Sequence, residues 1–287
     1  MTNPNATGMI VRLSISAWSG VITDKEVGDD VAARYTADKS MGAYRKKLVD
    51  PKTISGVRAC ATSARADHKT LTRSWGDDGD ARRLVPFANL QKHKEALIKH
   101  QVDFEEQVEM LIKSYDEAKD DARRSLGALY RDEDYPSSED LRSKFSFNIS
   151  YEPIPDGSFV PLTAPDRDAL VEQVERETTA KLAEGTQNLF FRIRNQLQST
   201  KKTLDEYIEK REAGTRTKIH ISLVENMLEL VNILPSLNIT NDEFLSNAIA
   251  RLRLEFQSID INTLREDLDE CRRVGERVER ALESLPD

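Results

Sequence analysis

DRDALVEQVERETTAKLAEGTQNLFFRIRNQLQSTKKTLDEYI, residues 166–208, is the stretch that decides the class of fold. Leu170, Val174, Leu182, Leu189, Ile193, Leu197, Leu204 and Ile208 return at three- and four-residue steps or their multiples. That is the period of one face of a helix. The stripe runs for over forty residues before Gly214, against roughly a dozen in an average helix. So long a stripe cannot bury itself alone and predicts a coiled-coil-like hairpin. The return pieces are IHISLVENMLELVNIL (219–234), DEFLSNAIARLRLEF (242–256) and NTLREDLDECRRVGERVERALESL (262–285). Thr240 and Asn262 are expected N-caps. Leu264, Leu268, Cys271, Val278, Leu282 and Leu285 form a heptad-like seam, which closes within one chain or between two copies in a homo-oligomer.

Working toward the N-terminus, the period changes. FSFNISYEPIPDGSFVPL (145–162) alternates Phe145, Phe147, Ile149 and Tyr151, then turns at Pro153, Pro155 and Gly157, which reads as strand. MIVRLSISA (9–17) alternates an apolar face with a polar or basic one, and is expected to pair with it in a small sheet. Ser137 or Ser138 is expected to cap a short helix after Pro136. Between these strands lie helical stretches. Residues 24–48 centre on Val27, Val31 and Tyr35 and end in the basic run YRKKLVDP. ISGVRACATSARADHKTLTRSW (54–75) has an apolar face, with Arg58, Arg65, Lys69 and Arg73 on the other. A long stripe from Ala96 to Leu129 follows Pro86. The fold class expected is α+β, mostly α: a small antiparallel sheet with long helices, not an OB-fold. The expected domains are 1–160, mixed and basic-faced, and 161–287, a helical hairpin or bundle.

Composition bounds the chemistry. The chain has 287 residues, 32% of them charged, and a net charge of −8. No apolar run of the roughly 18 residues that would span a membrane occurs, and no secretory leader is read at the N-terminus. Cys60 and Cys271 have no CxxC partner and read as free thiols of a reducing cytoplasm. The charge is unevenly spread. From Arg34 to Lys99 there are fifteen Lys and Arg against seven Asp and Glu, a surplus of +8. The remainder therefore carries −16. A polyanion responds to this local field rather than to the total.

The loop RSWGDDGDARRLVP (73–86) concentrates the question of function. Asp77, Asp78 and Asp80 surround Gly79, but the twelfth position from Asp77 is Ala88, where a calcium loop needs a bidentate Glu. A solvated acidic turn is the better reading. The four histidines lack zinc-binding neighbours. There is no phosphate-binding GxxxxGK[ST] or GxGxxG and no nucleophile elbow. Paired acids such as Glu105–Glu106 and Asp120–Asp121 fall on helices as solvated faces. No enzyme activity, metal or cofactor is expected. What remains is a basic region interleaved with Tyr35, Tyr44, Trp75 and Phe87. Cations that follow phosphates, with flat rings on which unpaired bases stack, are what a single strand requires. The expected DNA-binding residues are Arg45, Lys46, Lys47, Arg58, Arg65, Lys69, Arg73, Arg82 and Arg83, with Trp75 stacking bases and Tyr44 as a further candidate. The competing reading of Trp75 is a core anchor beneath its loop. Phe190, Phe191, Arg192 and Arg194 form a second, weaker patch, its phenylalanines pointing into the hairpin. An acidic helical protein–protein adaptor or assembly scaffold is the rival from another class.

The order of Trp75–Gly76, then Arg83-Leu84-x-Pro86, then Tyr135-Pro136-Ser137 within EDYPSSEDLRSKFSFNISYEPIPD (133–156) carries a resemblance. The chain resembles a family of mainly bacteriophage proteins grouped as a domain of unknown function, specifically the Drc-type single-stranded DNA-binding RNA polymerase cofactors of podoviruses that carry a giant polymerase in the virion. The likeness runs over most of the chain and is strongest from about 55 to 160. The C-terminal half agrees in helical character more than in motif. The resemblance implies sequence-tolerant binding of single-stranded DNA, help for a phage RNA polymerase at unwound promoters, and action in the cytoplasm of the infected bacterial host. It implies no OB-fold.

Overall fold

A computed structural model describes residues 7–76, 81–158 and 166–286. The protein is α+β and mostly helical, with a small antiparallel sheet and a long-helix C-terminal region. The chain forms two compact units that interleave along the sequence. The first takes the chain up to Arg12, Lys69–His93 and everything from Ser150 onward; the second takes Leu13–His68 and Lys94–Ile149. The boundary expected at residue 160 lies outside the described residues.

Strand β1 (Gly8–Ser16) runs antiparallel to β5 (Arg83–Pro86), with Gly8 opposite Pro86 and Val11 opposite Arg83. Strand β4 (Arg73–Ser74) pairs β5 on its other side. With β6 (Ser146–Glu152) the sheet order is β4-β5-β1-β6. The two strands expected from alternation are therefore neighbours. Leu13 and Ile15 turn inward, while Arg12, Ser14 and Ser16 stay exposed, as a period of two requires.

In the second unit, helix α2 (Ser55–Leu71) presents Ile54, Val57, Ala61 and Ala64 to a core completed by helices α3 (Phe87–Lys113) and α4 (Tyr115–Leu126). Phe104 meets the rings of Phe145 and Phe147 at 6.4 and 5.7 Å, and Trp18 sets its edge on Tyr115 at 6.0 Å. Each such ring removes a large apolar area from water. Ser114 interrupts the expected stripe, dividing it into α3 and α4. Ser137 caps the short helix α5 (Ser138–Ser143), accepting from the Asp140 amide.

The largest departure from expectation is in residues 24–48. Helix α1 occupies only Lys25–Arg34, capped by the Asp24 carboxylate. The chain then passes Thr36 at positive φ and re-enters as strand β3 (Tyr44–Lys47), antiparallel to β2 (Val21–Asp24). The basic run is therefore a strand, not the end of a helix. A strand sends alternate side chains to opposite faces, so Lys46 goes in and Arg45 and Lys47 go out.

In the first unit, the long stripe forms one 46-residue helix, α6 (Arg167–Glu212). Its Leu189, Ile193, Leu197, Leu204 and Tyr207 are buried among α7 (Ser222–Leu237), α8 (Glu243–Phe256), α9 (Ile261–Glu266) and α10 (Leu268–Glu283). Each fully buried leucine contributes about 2 kcal/mol. Leu170, near the start of the stripe, is exposed. Of the expected seam, Cys271 and Val278 of α10 are buried in the core that α10 forms with α6, Leu264 and Leu285 are buried in the same core, and Leu268 and Leu282 are partly buried. The caps differ from those expected: Asp242, not Thr240, accepts from the Leu245 amide, and Asp260, not Asn262, accepts from Asn262 and Thr263. A carboxylate there also meets the positive end of the helix dipole.

Candidate nucleic-acid interface

The second unit carries an exposed row of cations built on one stretch of backbone. The segment from Leu13 to Thr23, LSISAWSGVIT, contains no carboxylate. It leaves β1, turns at Gly20, where φ is +61°, and becomes β2. Basic side chains meet it in order. Arg65 donates to the Ile15 carbonyl at 2.9 Å, and Arg58 donates to the Ser19 carbonyl at 2.7 Å. Lys47 lies opposite Val21, and Arg45 opposite Thr23. All four are exposed. The two arginines are seven residues apart on α2, so they share one face of it.

The carbonyl bonds fix where the arginines stand without consuming them. Each guanidinium has five N–H donors in a planar fork, and one carbonyl engages only part of that set. The rest face water, in the geometry that grips a phosphate with two parallel bonds. From Ile15 to Thr23 the backbone would span at most about 29 Å if fully extended, and its turn at Gly20 shortens that reach. Trp18, half-buried, sits within the same segment. Residue type alone did not single it out from Trp75. Its faint signal was its place just past the end of an alternating strand.

Lys46 does not belong to the row. It is 1% exposed, bonded to Asp24 at 2.8 Å, Asp134 at 2.6 Å and the Leu129 carbonyl at 3.0 Å. Burial works against its charge, but the two carboxylates outweigh burial and raise its pKa. Lys46 in turn holds the Asp24 carboxyl below its ordinary value. Lys46 therefore ties the β2–β3 hairpin down and is withdrawn from any phosphate.

The first unit holds the other expected site residues, and most are internal. Arg73 is fully buried, donating to the Leu237 carbonyl at 3.3 Å, to Thr186 Oγ1 at 3.1 Å and to the Leu182 carbonyl. Burial pushes its pKa down to about 10. It lies against Gly185 of α6, where an added Cβ would stand 2.5 Å from its Nη2, so only glycine admits it. Arg83 is 1% exposed and bonds Thr72 Oγ1 at 2.6 Å and the Thr72 carbonyl at 3.2 Å. Arg192 is half-buried and donates to the same carbonyl at 3.1 Å. Burial, with Arg83 nearby, pushes its pKa down to about 10. Trp75 is 2% exposed in a small core with Ile10, Leu84 and Ile154. It is the core anchor, not a stacking platform: no base reaches its ring.

Lys69 and Arg82 remain at or near the surface of the first unit, Arg82 paired with Glu152. The weaker patch dissolves as well. Arg194 holds the Pro286 carbonyl, Phe190 packs on the bundle core and Phe191 points outward, 58% exposed. Asp77, Asp78, Gly79 and Asp80 lie outside the described residues.

Among the described residues no group of three or more His, Cys, Asp or Glu is placed to hold a metal ion, and no helix is long and apolar enough to cross a membrane. Cys60 and Cys271 are free thiols. Burial raises both pKa values, that of Cys271 to about 11, which suppresses the thiolate and its nucleophilicity. No family model, curated protein or solved structure matches the chain.

Proposed function

We propose that this protein binds single-stranded DNA without strong sequence preference, through Arg65, Arg58, Lys47 and Arg45. The observation that carries the reading is the carboxylate-free segment 13–23 with four exposed cations set along it in order. Exposed cations set in order along one stretch of backbone favour contact with the phosphate backbone, and so sequence tolerance. Fluorescence anisotropy of a labelled oligonucleotide, single-stranded and as a duplex, at two salt concentrations tests it. Preference for the single strand is expected, with affinity falling by a log–log slope of about 0.7 for each phosphate neutralised. Binding to neither form overturns it.

We infer, from the resemblance, that the bound strand is held for a phage RNA polymerase at an unwound promoter in the infected bacterium. Run-off transcription from a pre-melted template, with and without the protein, tests that step. No stimulation would remove it and leave DNA binding standing.

A further inference from the structure

Beyond the cations, the second unit contains an open cleft of about 300 Å³ between α1 and the start of β3. Val31, Tyr35, Met41 and Tyr44 line it, together with Asp38 and Lys39. Three of these apolar side chains face water: Val31 is 45%, Tyr35 80% and Met41 84% exposed. Single exposed apolar residues need no explanation, but a cluster around one cleft marks a binding surface. The volume is at the small end of ligand sites and suits one planar ring.

We propose that this cleft holds one unpaired base of the single strand whose phosphates lie along the row; the inference rests on that reading. Continuity places it there. Tyr44 immediately precedes Arg45 in β3, and the Asp24–Tyr44 pair ends the ladder that begins with Val21 and Lys47. Alternation sets Tyr44 on the face opposite Arg45. A nucleotide whose phosphate sits on Arg45 therefore turns its base over the strand's end, at Ala43 and Gly42. Both are exposed, and no atom lies within 4 Å of where a Gly42 Cβ would stand.

The charged lining separates base from phosphate. Lys39 is engaged by Asp29 at 2.8 Å. Asp38 accepts from the Ser40 amide and hydroxyl, both at 2.8 Å, and these bonds hold its pKa below the ordinary value. A fixed negative charge in the lining repels phosphate and leaves the apolar side chains to a base. Tyr35 and Tyr44 supply the flat faces on which any base stacks, which keeps the site tolerant of sequence.

The test uses the full chain and two labelled oligonucleotides of equal phosphate count, one oligothymidylate and one abasic, with wild type, Tyr35→Ala and Tyr35→Phe. Wild type is expected to prefer oligothymidylate. Tyr35→Ala should weaken that binding by between about fivefold and a hundredfold, leaving abasic binding and the salt slope unchanged. Tyr35→Phe, which keeps the ring, should stay near wild type. Tyr35 is 80% exposed, so its removal spares the fold, which circular dichroism checks. Equal wild-type affinity for the two oligonucleotides, or equal loss on both with Tyr35→Ala, overturns the cleft and leaves the row intact. Wild type binding neither oligonucleotide overturns the row and the cleft together.

Discussion

Arg58 and Arg65 in the second unit and Arg73 and Arg83 in the first all spend donors on backbone carbonyls, yet they do different work. The first pair gives one bond each to Ser19 and Ile15 and keeps the remaining fork in water. The second pair is closed in by threonine hydroxyls and by the carbonyls of Thr72, Leu182 and Leu237. An arginine becomes a ligand for phosphate when its partners position it and leave donors over. It becomes a tie between elements when its partners surround it. Burial decides between these roles; residue type does not, since all four are arginines.

Trp75→Ala should cost about 3–5 kcal/mol of stability, read by chemical denaturation. It should leave the affinity of the still-folded protein for single-stranded DNA unchanged. An affinity loss without a stability loss would return Trp75 to the interface. The first unit also predicts its own pH dependence. His93 is buried, its ring nitrogen beside the Tyr151 hydroxyl at 3.2 Å, and burial lowers its pKa to about 4. Below about pH 6.5 the unfolded chain takes up a proton that the folded chain refuses until about pH 4. Stability should therefore be flat above that window and fall as pH drops through it, by about 3 kcal/mol at the acid end. His93→Gln should flatten the dependence.

The second unit gives the opposite signature. Reversing charge with Arg58→Glu and Arg65→Glu should weaken DNA binding by about tenfold per residue, on all sequences alike, with melting temperature almost unmoved. Smallest is Arg82→Ala. It breaks a part-exposed pair with Glu152 and should cost under about 1 kcal/mol, with no change in DNA affinity by anisotropy.

Much of the fold was legible because period and burial agree there. The stripe through Leu189, Ile193, Leu197 and Leu204 reads as one helix and is one, and the alternation of Phe147 and Ile149 reads as strand and is strand. The site was legible only in part. In the run Tyr44-Arg45-Lys46-Lys47 nothing about residue type separates the buried lysine from its exposed neighbours. That separation depends on Asp24 and on Asp134 far along the chain. Likewise Arg73 continues the basic face of α2 at a four-residue step from Lys69, but the helix ends at Leu71 and Arg73 turns inward as strand. The segment 13–23, with no charge of its own, gave no signal as the spine of a site. It became one only when distant cations were folded onto it.

On the proposed reading, four exposed cations on that spine, and not the buried arginines, hold the single strand. The direct measurement is the slope of log affinity against log salt for wild type and for a variant with Arg45, Lys47, Arg58 and Arg65 all changed to Ala. The expected slope is shallower by about 3 in the variant, with circular dichroism unchanged. An unchanged slope would contradict it and place the DNA on another face of the protein.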